Sequence, residues 1–229
     1  MSHYEEDAER PSIAAELTNA IKRTPVMLVL DTSASMQTND RIGILNETMV
    51  EFVEAVKSTD ELADALLLSV ITFGGVAQIQ QSWAPIDDVR VEPFVAQGNT
   101  PLGDAVNIAL GEIDLLRQEL QQAGTPYNVP WMFLMSDGEP TDYWEDAAEL
   151  VQQRLMDRKL VSFAFGIPPS DDATLRRFLL PGFPVYSVKE QDIRQLIAKW
   201  LVGSLVKVAE SSPGQAGGLQ LTAPPAIAV

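Results

Sequence analysis

The stretch VMLVLDTSASMQTND, residues 26–40, decides the architecture. Its first five residues form a continuous apolar run, the pattern of a strand buried on both faces, and the run ends abruptly in a loop of Asp31 and small hydroxyl residues. A buried strand that delivers polar groups at its carboxyl end is the signature of an open, mainly parallel sheet whose ligands collect there. From Arg41 to Ser58 the apolar residues Leu45, Met49, Phe52, Val53 and Val56 fall on one helical stripe, which predicts a crossover helix.

The rest of the chain repeats this alternation. Residues 65–73 (ALLLSVITF) and 76–80 (VAQIQ) flank Gly74-Gly75, a dipeptide suited to a tight hairpin, so the shorter run is expected as an antiparallel edge strand. A long helix is predicted from Pro101 to Gln122 on the stripe Leu102, Val106, Ala109, Leu110, Ile113, Leu116 and Leu120, with Thr100 as its N-cap and Pro101 at its first position. Beyond it come a strand at 129–135, a helix at 145–159, a strand at 160–166, a short helix near 173–180, a strand at 183–188 and a helix at 191–208. The last carries the stripe Ile193, Leu196, Ile197, Trp200, Leu201, Leu205 and Val208, which reads as packing onto the sheet. Met27, Met132, Met135 and Met156 lie on apolar strands or stripes and read as core. The expected division is an acidic N-terminal segment at 1–23, one α/β domain at 24–208, and a flexible Pro/Gly/Ala-rich tail at 209–229.

Composition narrows the chemistry. With 46% hydrophobic and 21% charged residues in 229, the chain has the make-up of a folded globular domain. There is no cysteine, which removes disulfides, thiolate metal sites and cysteine nucleophiles, and the lone His3 lies in a polar stretch. The formal charge of −16 disfavours nucleic acid and anionic lipid as partners. An acidic N-terminus without an apolar signal core, and the lack of an apolar run near the ~20 residues of a membrane span, point to a cytoplasmic protein with no membrane association. Neither GxGxxG nor a P-loop is present, so nucleotide binding has no support.

Three loops carry oxygen ligands. The first, after the first strand, holds Asp31, Ser33 and Ser35. The second, Gly98-Asn-Thr100-Pro-Leu-Gly103, sets the Thr100 hydroxyl at a helix mouth, and the third, Ser136-Asp137-Gly138-Glu139-Pro140, follows another apolar strand. Two carboxylates and three hydroxyls, without imidazole or thiolate, suit a hard divalent cation: Mg²⁺ in the first place, with Mn²⁺ or Ca²⁺ as alternatives. Neutral hydroxyl ligands and a position left to water would let the ion take an outside carboxylate as a further ligand.

These loops resemble the metal-ion-dependent adhesion site of von Willebrand factor A (vWA) domains, Asp-x-Ser-x-Ser followed by a Thr and then an Asp at successive strand ends. The resemblance covers roughly residues 24–208 and places Asp31, Ser33, Ser35, Thr100 and Asp137 on the five motif positions. It implies a Rossmann-like α/β fold, a mostly parallel sheet in the order 3-2-1-4-5-6 with one antiparallel edge strand and helices on both faces. It also implies binding of a protein partner through an Asp or Glu rather than catalysis. Within the family, residues 136–144 (SDGEPTDYW) are similar to the third motif of tellurium-resistance TerY-type proteins. That likeness implies a stress-resistance or defence system with a Ser/Thr kinase and a PP2C-type phosphatase as partners. Direct capture of tellurite is disfavoured, because soft-species chemistry wants thiols and this chain has none.

Two features near the third loop stay open on sequence grounds. Glu139, Asp142, Glu145 and Asp146 fit either a second cation or the acid preference of a helix start, and Tyr143 and Trp144 fit either an exposed partner anchor or packing under the loop. Two further functions compete with the protein-binding module. A haloacid-dehalogenase-like metal-dependent phosphohydrolase would also place an Asp-led loop at a strand end, but it wants a second carboxylate two residues on, where this chain has Ser33. Alternatively the loops are structural caps that hold no metal.

Overall fold

The computed structural model describes residues 21–90 and 92–209, with positions 12, 13 and 17. Six strands form one sheet: β1 (Thr24–Asp31), β2 (Leu66–Gly74), β3 (Val76–Pro85), β4 (Trp131–Ser136), β5 (Val161–Gly166) and β6 (Tyr186–Ser187). Their order is β3-β2-β1-β4-β5-β6, and every pairing is parallel except β2 with β3, which is antiparallel. The expected order and the single antiparallel edge are therefore both observed. Strand β1 lies at the centre, buried at all of its positions. Its register runs Thr24 to Leu66 through Asp31 to Phe73 on one side and Val26 to Trp131 through Leu30 to Met135 on the other.

Alternate side chains of β1 feed two cores. Val26, Leu28 and Leu30 meet helix α1 (Arg41–Lys57) and the C-terminal helix. Met27 and Val29 meet α3 (Leu102–Gln122) and α4 (Glu145–Met156). All five predicted stripe residues of α1 and all seven of α3 are buried, and each such Leu, Met or Phe contributes roughly 1.5–3 kcal/mol relative to leaving it in water. A one-turn helix, α2 (Asp60–Ala63), leads from α1 into β2. Beneath the C-terminal helix, Phe133 stacks on Phe163 at 5.1 Å between ring centroids, and Trp200 meets Phe163 edge-on at 5.4 Å.

Several elements differ in length from their sequence reading, each for a local reason. Strand β3 runs ten residues to Pro85 instead of ending at 80, because Trp83 is buried and its indole N–H donates to the Glu112 carbonyl of α3 at 3.1 Å. Strand β4 starts at Trp131, since Pro130 lacks an N–H and joins the ladder only as acceptor to Val161. Strand β6 is cut to two residues, its approach interrupted by Pro181 and Pro184. The short helix is α5 (Asp172–Leu175), capped by Asp171, whose carboxylate accepts from Thr174 N at 3.1 Å, and it tightens into a 3₁₀ turn before Pro181. The final helix is composite: π-helical windings at Gln195–Leu201 pass into α6 (Val202–Ala209). The wider π turn brings Leu196, Ile197, Trp200 and Leu201 onto the sheet together.

Two residue readings are corrected. Met156 is 67% exposed at the end of α4, where the stripe it was placed on has run out, so it is no part of the core. Thr100 does not cap α3: the helix begins at Leu102, its cap position is Pro101, and no side chain of that cap residue accepts a hydrogen bond. Among the described residues no helix is long and apolar enough to cross a membrane. The predicted C-terminal tail beyond Ala209, which instead ends α6, and most of the N-terminal segment lie outside the described residues.

Candidate metal centre

Because β1 and β4 are neighbours, the loops leaving their carboxyl ends meet directly. The loop before α3 is drawn to them by backbone bonds: Ala34 N to Gly98 O at 3.0 Å, Gln97 N to Thr32 O at 2.8 Å and Gly75 N to Asn99 O at 2.8 Å. This contact requires glycine at two places. A Cβ on Gly74 would stand 2.1 Å from the Thr32 carbonyl oxygen, and one on Gly98, which has φ of 62°, would stand 2.4 Å from Gly75 Cα.

The five expected oxygen ligands are brought together. Asp31 Oδ1 accepts from Ser33 N at 2.8 Å, Ser33 Oγ lies 2.9 Å from Ser35 Oγ, and Ser35 Oγ donates to Asp137 Oδ1 at 2.6 Å. These bonds link both carboxylates through the Ser33 backbone N–H and the hydroxyls of Ser33 and Ser35. Thr100 Oγ1 and Ser35 Oγ both border Gly138, where an added Cβ would lie 3.8 and 3.9 Å from them, which places Thr100 on the same loop cluster. Asp31, Ser33, Thr100 and Asp137 are buried, whereas Ser35 is exposed, so the cluster is recessed and opens to solvent past Ser35. Burial pushes the Asp31 carboxyl above its ordinary range, against the hydrogen bonds from Ser136 and Ser33, and the nearby Asp137 charge adds to the rise.

The sequence reading passed over two residues that hold this arrangement. Ser136 Oγ donates to Asp31 Oδ2 at 2.5 Å, so the last residue of β4 orients the carboxylate at the end of β1. Arg41, the first residue of α1, donates from Nη1 to Asp137 Oδ2 at 2.6 Å and from Nη2 to the Pro168 carbonyl at 2.7 Å. Ser136 was legible as part of its loop. Arg41 carried no local signal except a basic residue at a helix start, where the dipole disfavours one.

The features left open near the third loop divide cleanly. Asp142 accepts from Gly103 N at 3.1 Å and from Asp104 N at 2.9 Å, which makes it the cap of α3, supplied from a distant loop. Glu145 accepts from Trp144 N and Asp146 accepts from the Tyr143 hydroxyl. Asp142 thus serves the start of α3, and Glu145 and Asp146 lie in the first turn of α4; among the described residues there is no group of three or more His, Cys, Asp or Glu placed to hold a metal. Tyr143 is 67% exposed, while Trp144 packs against Phe178 at 6.0 Å between ring centroids. Asp142→Ala is expected to lower the unfolding free energy by about 1 kcal/mol, as read by urea unfolding, with Asp142→Asn recovering at most one of the two bonds, because its NH₂ group cannot accept from the second N–H.

Other proteins share this fold. The chain is similar to proximal thread matrix protein 1 from the mussel byssus at 18% identity and a TM-score of 0.58, over 84% of this chain and 47% of that one. A structure of that mussel protein with a zinc-occupied MIDAS motif matches at 18% identity and a TM-score of 0.56, over 82% of this chain and 46% of that one. The ArnB paralog VWA2 from Sulfolobus acidocaldarius matches at 12% identity and a TM-score of 0.56, over 78% of this chain and 45% of that one. The vWF domain of the type V pili tip protein Mfa5 from Porphyromonas gingivalis matches at 9% identity and a TM-score of 0.58, over 84% of this chain and 98% of that domain. The chain spans about half the length of the mussel and Sulfolobus proteins. No family model and no curated protein matches the sequence. The solved neighbours are vWA domains, and the fold of this chain is the Rossmann-like α/β fold they have.

Proposed function

We propose that this chain is a metal-dependent protein-binding module that holds a divalent cation on Asp31, Ser33, Ser35, Thr100 and Asp137 and captures an acidic side chain of a protein partner. The observation that carries this reading is the hydrogen-bonded chain from Asp31 through Ser33 and Ser35 to Asp137, recessed at the strand ends and open past Ser35. The donor set fits the ion: carboxylate and hydroxyl oxygens, no nitrogen or sulfur, and two carboxylates in a largely buried site. Mg²⁺ is the ion we favour, with Mn²⁺ or Ca²⁺ as alternatives; the zinc in the mussel protein is a divalent occupant of a motif of this type. A bound ion supplies a Lewis-acidic position for an outside carboxylate. The chain's own part is to orient five oxygens and leave a face open.

Catalysis is the weaker reading. A phosphohydrolase of the haloacid-dehalogenase kind needs a general acid two residues after its nucleophile, and Ser33 stands there with its hydroxyl engaged by Ser35. The likeness of residues 136–144 to TerY-type proteins makes a Ser/Thr kinase and a PP2C-type phosphatase the partners to try first, in a bacterial stress or defence setting inside the cell. Calorimetric titration with MgCl₂, MnCl₂ and CaCl₂, joined to affinity capture with and without chelator, tests the proposal. One equivalent of ion and a partner lost on chelation are expected. An absence of any ion-binding heat, or capture indifferent to chelator, would overturn it.

A further inference from the structure

Arg41 stands where a cation is least welcome on general grounds. It opens α1, whose unsatisfied N–H groups already carry partial positive charge, and it is buried, with its side chain 5% exposed. Its partner Asp137 is fully buried, its side chain 0% exposed. Burying such a pair carries a desolvation penalty that a hydrophobic pair would avoid, so stability alone gives little reason for it. The geometry supplies another reason. Asp137 is divided between two environments: Oδ2 receives Arg41 at 2.6 Å, while Oδ1 receives Ser35 at 2.6 Å and faces the hydroxyl chain. The second arm of the guanidinium, bonded to the Pro168 carbonyl after β5, fixes the plane of the fork and with it the carboxylate.

Resting on the metal reading above, we infer that Arg41 is an ion-selecting residue: it holds one oxygen of Asp137, leaves the other for a divalent ion, and sets the charge of the occupied site. An octahedral ion such as Mg²⁺ or Mn²⁺ takes a carboxylate through one oxygen, whereas Ca²⁺, with six to eight ligands, gains from a carboxylate that turns both oxygens toward it. Holding Oδ2 therefore works against Ca²⁺. The charge follows by counting. Two carboxylates and one guanidinium leave the pocket with one net negative charge, and a divalent ion turns it to one net positive, where without Arg41 it would be neutral. In a chain of formal charge −16, that residual positive charge favours an acidic ligand at this one place. In the absence of an ion, Arg41 remains as counter-cation and keeps Asp137 paired.

The test is titration of the full chain and of Arg41→Met and Arg41→Lys with Mg²⁺ and Ca²⁺ by calorimetry. For Arg41→Met we expect the ratio of dissociation constants to move toward Ca²⁺ by about tenfold, with Mg²⁺ bound no more weakly than in the wild type. Arg41→Lys, which keeps a charged donor for Oδ2, retains the wild-type order of ions. If Arg41→Met folds only with an ion present, the same preference is read from its unfolding midpoint in saturating Mg²⁺ against Ca²⁺. An unchanged ratio in Arg41→Met, or a reversed order in Arg41→Lys, overturns the assignment of Arg41 while leaving the metal site standing. A wild type that binds neither ion removes the site itself.

Discussion

Asp31→Asn is expected to weaken divalent-ion binding by on the order of a hundred-fold or more while leaving the ion-free protein at least as stable as the wild type at neutral pH. The two effects have one cause. Asp31 is fully buried, and burial raises its carboxyl above the ordinary carboxylate range. The folded state thus binds this proton more tightly than the unfolded chain does. By linkage, the contribution of this group to stability is fully present below the unfolded value, declines as pH rises from there through the raised folded value, and stays lost above it. Asparagine keeps the shape and a carbonyl acceptor for Ser33 N or Ser136 Oγ but carries no charge, so it has no such decline. In the wild type a bound ion is expected to recover the loss, because it would take the ionised form. Thermal unfolding from about pH 4 to pH 8, with and without MgCl₂, reads both effects. A variant that is stabilised by Mg²⁺ as strongly as the wild type would remove Asp31 from the site.

How far this site was legible before the fold was known depends on the kind of signal each residue leaves. Strand β1 and helices α1 and α3 were visible because burial imposes periodicity: an unbroken apolar run for a strand covered on both faces, and stripes at helical spacing for helices covered on one. The five candidate oxygen residues stood out because they sit at the carboxyl ends of such strands or at a helix mouth, in an order that a known motif shares. Arg41 was not. It lies 96 positions from Asp137, and apolar periodicity says which residues face the sheet but nothing about which donors meet across it. The cap of α3 was misread for the same reason: Thr100 and Pro101 formed a plausible local start, yet the carboxylate that satisfies the first N–H groups comes from Asp142, 39 positions from Gly103. Proline set limits that a count of apolar residues overlooked, shortening β4 and β6.

The same substitution at two glycines of α3 is expected to have opposite signs. Gly111→Ala lies in the exposed interior of the helix with nothing within 4 Å of the added carbon, and it should stabilise the protein by about 0.5–1 kcal/mol by restricting the unfolded chain. Gly103→Ala, in the first turn, would place its Cβ 2.3 Å from the Tyr143 carbonyl oxygen and 2.8 Å from Trp144 Cα. Both are backbone atoms, so no rotamer relieves the contact and the loop itself must move. That loop is sewn to the start of α3 by the two bonds to Asp142, by Thr100 N to Thr141 Oγ1 at 3.1 Å and by Thr141 N to Thr100 O at 3.0 Å. Forcing it away costs roughly 2–3 kcal/mol, or a fall in melting temperature of roughly 5–10 °C in a domain of this size. It also separates Thr100 from Asp137, since Asp137 begins the displaced loop, so the Mg²⁺ affinity should fall together with the stability. Thermal unfolding and calorimetry on the two variants decide the matter. If Gly103→Ala keeps both wild-type stability and wild-type ion affinity, the close approach of α3 to residues 143 and 144 is not what holds the second and third loops together.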